Sequence, residues 1–138
     1  MKFKYNYRPK IKQLKMMESV PITIDLTYLY SLSDGDKAFE EMLLKCTIAD
    51  VDIKIEELRK SLAINNLSAI RANAHSLVSL SAIAGMPQVE GWSRTIDQKM
   101  IDGIFHPELE VLTNSIISGW PSAKNELIKV LKNTLVSV

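Results

Sequence analysis

The chain has one cysteine, Cys46, in 138 residues. No intrachain disulfide can form, and a reducing compartment suits such a chain. Glycine and proline number only five each, so there are few places to turn, which favours few, long elements. No run of 18 apolar residues is present, and this excludes a membrane span. The first residues, MKFKYNYRPKIKQLK, lack the apolar stretch of a secretory signal. There is no glycine-rich phosphate loop and no His-Glu-x-x-His pattern. No serine or cysteine nucleophile stands at a suggestive spacing from a base. With only two histidines, His75 and His106, neither has the second and third ligands that a metal site requires. These absences weaken every common enzyme class.

What remains is ordinary for a globular protein: 46% apolar and 24% charged residues. The net charge of +1 conceals an asymmetry. Lys2, Lys4, Arg8, Lys10, Lys12 and Lys15 crowd residues 1–17 without one acid, leaving 11 basic against 16 acidic residues in 18–138, a net −5. A basic leader can touch nucleic acid or membrane, but a solvated linker explains it as well. The expected organisation is a basic linker or leader over 1–20 and one domain over 21–138, with neither nucleic acid nor membrane as a direct partner.

Hydrophobic periodicity places the elements. Asp25 can cap a short helix over 26–33, and Ser-Asp-Gly-Asp stops it. Over 36–64, Leu44, Ile48, Val51, Ile55, Leu58 and Leu62 step by three and four, giving one core face opposite Asp50, Asp52, Lys54, Glu57 and Lys60. Cys46, among Met42, Leu43 and Ile48, reads as a small core residue. Asn65-Asn66 breaks that helix and can cap the next, 67–84, whose stripe is Leu67, Ile70, Ala74, Leu77, Ser81 and Ala84. Gly85 suits its end and Pro87 the start of another helix, which carries Val89, Trp92, Ile96 and Met100 and ends at Gly103. His106, read as a cap, precedes Pro107 and a last stripe of Leu109, Leu112, Ile116, Trp120, Ala123, Leu127 and Val130. Pro121 within it allows a kinked helix or two coaxial pieces. The expected fold is all-α: an antiparallel four-helix bundle with a short additional N-terminal helix.

His75 is one residue from Ala74, about 100° around the helix from the core stripe. Its same-face neighbours are Arg71, Ala72, Val78, Ser79 and Ala82. Small side chains leave the imidazole standing proud, either incidentally or for chemistry.

The string AHSLVSLSAIAGM resembles the signature of histidine-containing phosphotransfer (HPt) domains, including those at the C-terminus of bacterial hybrid sensor histidine kinases. Ala74, His75, Leu77 and Gly85 match it in type and spacing. IDLTYLYSLSDGDKAFEEMLLKCTIADVDIKIEELRKSL resembles the family's opening, and the likeness covers roughly residues 22–136. It implies that His75 accepts a phosphoryl group on Nε2 from a receiver-domain phospho-aspartate and passes it to a response regulator. The partners it implies are receiver domains of response regulators or hybrid kinases. The chain would be a cytoplasmic, monomeric carrier and not an enzyme. It would bind no cofactor or metal, with Mg²⁺ on the receiver. The signature departs at Val78 and Ser79, where many members have lysine and glycine. Arg71 then becomes the first candidate for supporting charge, ahead of Arg94 and Lys99. Val78, Ser79 and Ala82, with Ile83, become candidate docking surface. Two other readings stay open: an adaptor that docks a receiver or kinase without transfer, and a helical scaffold anchored by Trp120.

Overall fold

The computed structural model describes residues 21–136, and the basic leader lies outside the described residues. Five α-helices and one 3₁₀ turn occupy this span, and no strand is present among the described residues. They are α1 (Thr27–Ser33), α2 (Lys37–Ala63), α3 (Leu67–Ile83), α4 (Pro87–Lys99) and α5 (Pro107–Val136), with the 3₁₀ turn at Met100–Asp102 before α5.

The helix boundaries follow local chemistry. Asp25 accepts hydrogen bonds from the amide and hydroxyl of Thr27, so α1 starts one residue later than its sequence suggests. Asp34 and Gly35 both take the left-handed conformation and end α1. Asp36 then caps α2 by accepting from the Phe39 amide at 3.0 Å. Asn65 turns the chain at positive φ, and Asn66 caps α3 through the Ala69 amide. Pro107 opens α5 after the His106 carbonyl, which accepts from the Leu109 and Glu110 amides. The His106 side chain does not cap; its Nε2 pairs with Asp102 at 3.0 Å. Of the two expectations at Pro121, a single helix holds: α5 runs unbroken through it.

Each of the four long helices packs on two others, in the ring α2–α3–α4–α5, and α1 lies against α2 and α3. Short turns return the chain each time, which is the arrangement of an antiparallel four-helix bundle. The core joins Leu44, Val51, Ile55 and Leu58 of α2 to Ile70, Ala74 and Leu77 of α3. Val89, Trp92 and Ile96 of α4 and Leu109, Ile116, Trp120 and Leu127 of α5 complete it. Trp120 is inside this core, and its Nε1 donates to Asp52 at 2.8 Å. It is not the exposed anchor that a scaffold reading requires. No helix among the described residues is long and apolar enough to cross a membrane.

Cys46 corrects the sequence reading: it is exposed. It sits two positions from Leu44 and from Ile48, about 200° from each around the helix, which turns it outward. Phe39, Met42 and Ile53 share that outer side, and all three are exposed.

The end of α3 is fixed by the segment before α1. The Asp25 amide donates to the Gly85 carbonyl at 2.8 Å. Gly85 holds φ at +72°, and a Cβ there would collide with the Asp25 carbonyl. Two independent constraints therefore demand glycine. Gly91, inside α4, has open space where a Cβ would go. Gly85→Ala is expected to lower the unfolding free energy by about 2 kcal/mol or more. Gly91→Ala should raise it by roughly 0.5–1 kcal/mol. Urea unfolding of the two variants checks this contrast, and equal stabilities would contradict it.

Candidate functional site

α3 fixes its inner face first. Ala74 and Leu77 are fully buried, one on each side of His75 in sequence. That geometry forces the His75 side chain outward, and it is 76% exposed. It does not swing freely, because its Nδ1 lies 2.8 Å from Oδ2 of Asp97 on α4. The other oxygen of the same carboxylate, Oδ1, accepts from Nε of Arg71 at 3.3 Å. Asp97 is only 22% exposed, so it is held by packing as well as by charge.

This arrangement selects a tautomer. A carboxylate can only accept, so Nδ1 of the imidazole must carry the hydrogen. The lone pair of the neutral ring is then on Nε2. Among the described residues Nε2 has no hydrogen-bond partner, so an accessible nucleophilic nitrogen is presented at the middle of a rigid helix. Asp97 serves that end as a charged acceptor. The His75 hydrogen bond, assisted by Arg71, holds its carboxyl below the ordinary aspartate range against the opposing effect of partial burial.

Two grooves flank the ring. One, about 220 Å³, runs between α3 and α4 and is lined by His75, Val78, Ser79, Arg94, Asp97 and Gln98. The other, about 540 Å³, lies between α2 and α3 and is lined by Asp50, Ile53, Lys54, His75, Ser76, Ser79 and Leu80. Ser79 borders both. Val78 is half-buried beside His75.

The residues singled out from sequence are thus only partly brought together. Arg71 joins the cluster, but through Asp97 and on the Nδ1 side of the ring. Arg94 pairs with Glu90 at 3.1 Å, and Lys99 with Glu108 at 3.2 Å. Ala82 borders neither groove; it lines a smaller depression with Asp25, Gly85 and Met86 at the far end of α3. Asp97 is not singled out by the sequence, and Lys54 is legible there only as part of the polar face of its helix. The one available signal for Asp97 was its place next to Ile96, at the edge of the α4 core stripe. Among the described residues no three His, Cys, Asp or Glu side chains gather as metal ligands.

The lowered Asp97 pKa makes a testable statement about acid. A carboxyl depressed in the folded state contributes stability that is complete above its unfolded value near 3.9 and is lost as pH falls through the folded value. NMR titration of the Asp97 carboxyl carbon should give a midpoint below the ordinary aspartate value, and His75→Ala should move it upward. A midpoint that ignores His75 would contradict the pairing.

Comparison with known proteins adds the fold relationship. No family model matches the chain, and no curated protein matches it. Among solved structures it is similar to the HPt domain of a sensor hybrid histidine kinase from Shewanella, with a TM-score of 0.70 at 14% identity. The match covers 80% of this chain and 94% of that domain. With its helix order and its exposed mid-helix histidine, the chain has the fold of an HPt domain.

Proposed function

We propose that this chain is a phosphorelay carrier, with His75 as the phosphoacceptor. One observation supports this above the others: on an HPt fold, an exposed histidine presents a free Nε2 while its Nδ1–H is fixed by a carboxylate. The partner is a receiver domain of a response regulator or hybrid histidine kinase. Nε2 attacks the phosphorus of the receiver's phospho-aspartate. The P–Nε2 bond forms as the P–O bond breaks, and the bond's electron pair returns to the receiver's carboxylate. The reverse reaction passes the group to a second receiver.

Such a transfer needs in-line placement and charge neutralisation more than covalent assistance. In this reading the receiver supplies Mg²⁺ and most of the catalytic groups. This chain supplies nucleophile, orientation and docking surface. It is a carrier and substrate, not an enzyme, and it holds no cofactor of its own. It works as a cytoplasmic monomer or as the cytoplasmic part of a larger kinase. Asp97 keeps Nδ1–H in place and balances the positive charge that the ring acquires when Nε2 is phosphorylated. Arg71 acts as a positioning residue by holding Asp97. Val78 and Ser79 are the docking surface nearest the ring, and Ala82 extends it one turn further along α3.

The experiment is transfer from receiver domains of the same organism, phosphorylated by a small acyl-phosphate donor. Acid-labile phosphate should appear on the wild-type chain by intact mass and be absent from His75→Gln. Asp97→Asn should remain folded yet load about tenfold more slowly or worse, because an amide can donate to Nδ1 and stabilise the wrong tautomer. Val78→Asp should slow transfer about tenfold, equivalent to about 1.4 kcal/mol of docking. Receiver binding without any phosphate on His75 would overturn the carrier reading and favour a docking adaptor.

A further inference from the structure

A phosphoryl group on Nε2 brings up to two negative charges to a site whose cations are already paired. Arg71 is committed to Asp97. It stands on the Nδ1 side of the ring, and the two ring nitrogens point in divergent directions. Arg94 is drawn along α4 to Glu90. Val78 and Ser79, one turn after His75, contribute no charge.

With Nδ1 turned to α4, Nε2 faces away from Asp97, and the His75 ring also borders the groove on the other flank of α3. The cation in that groove is Lys54. α2 and α3 run antiparallel through the turn at Ile64–Asn66, and counting back from it sets Lys54 level with Ser76, one residue past His75. By the same register Asp50 stands level with Leu80, and Asp50, Lys54, His75, Ser76 and Leu80 all border the one groove of about 540 Å³. Lys54 is half-buried, and its Nζ lies 3.4 Å from Glu57 Oε2. A partly solvated pair of this kind is weak, so the ammonium can exchange it for a doubly charged phosphoryl group. Ser76 and Ser79 border the same space, and their hydroxyls, which donate over 3.3 and 3.5 Å to the Ala72 and Ser76 carbonyls, can turn from these long bonds to phosphoryl oxygens. Asp50 opposes a bound anion from the level of Leu80, more than one turn from the ring, which favours placing the group at the Lys54 end.

We propose that Lys54, supplied by α2, binds the phosphoryl group of His75 and neutralises the charge that builds up during its transfer. This rests on the reading of His75 as the phosphoacceptor. It assigns a phosphoryl-binding residue from a helix other than the one that carries the histidine. Ser76 and Ser79 complete the oxygen contacts.

The test loads His75 with phosphoramidate, a small donor that needs no receiver. The donor's P–N bond breaks, the P–Nε2 bond forms and ammonia departs. Acid-labile phosphate is followed by intact mass, with His75→Gln subtracting any label elsewhere. Lys54→Ala should load about fivefold more slowly, the loss expected for one partly solvated charge-assisted contact. Lys54→Arg should load at nearly the wild-type rate, and Lys60→Ala, an exposed cation of the same helix outside both grooves, should be unchanged. Circular dichroism should show all variants equally folded, since the Lys54 side chain reaches solvent. Lys54→Ala loading as fast as wild type overturns the proposal. So does failure of Lys54→Arg to restore the rate. A wild type that loads from phosphoramidate in a Lys54-dependent way, but from no receiver, supports Lys54 while rejecting the relay. A wild type that phosphoramidate cannot load on His75 overturns both.

Discussion

A carboxylate has no proton to give. That single property of Asp97 settles which edge of the His75 ring carries hydrogen and which carries the lone pair. Without it an imidazole that is 76% exposed would sample rotamers and both tautomers. With it, Nε2 is aimed outward at a fixed place. The acceptor is itself over-determined: Arg71 occupies its second oxygen, and packing between α3 and α4 shields it. A reactive atom held by a neighbouring helix, which is in turn held by a third group, is how a precise site is built on a small scaffold.

The rest of the bundle keeps α3 still. Asn66 caps its start, and the docking of Asp25 on Gly85 secures its end. Ile70, Ala74 and Leu77 anchor the middle, with no exposed surface. His75 therefore rides on one of the most constrained stretches of the chain, and its outer neighbours Ala72 and Ser79 are too small to cover it. Rigidity beneath and clearance above come from the same run of small residues.

The helices were legible because their signals are local. Steps of three and four, asparagine and aspartate caps, and glycine and proline at the ends all act within a few residues, and they place α2 and α3 within a residue; α4 starts at Pro87 as read but ends at Lys99, and a 3₁₀ turn carries the chain on to Gly103. His75 was legible for the same reason: its neighbour Ala74 lies on the stripe, so it cannot. Cys46 was misread because apolar neighbours in sequence were taken for neighbours in space. The stripe through Leu44 and Ile48 runs round the other side of α2. Asp97 was missed because it meets His75 only after the helices pack, from 22 positions away, and Lys54, legible only as part of a polar face, comes to border the same groove as His75 from 21 positions away. Arg71 was seen as a cation but not as one already engaged, because its partner sits on another helix.

The claim on which this account turns is that Nδ1–H is tied to Asp97 and Nε2 is the atom that reacts. Long-range ¹H–¹⁵N NMR of the His75 ring tests it directly, first in the neutral unmodified chain and then after phosphorylation. The account predicts the proton on Nδ1 in the unmodified ring and phosphorus coupling to Nε2 in the loaded one. A ring protonated on Nε2, or a phosphoryl group attached to Nδ1, would contradict it.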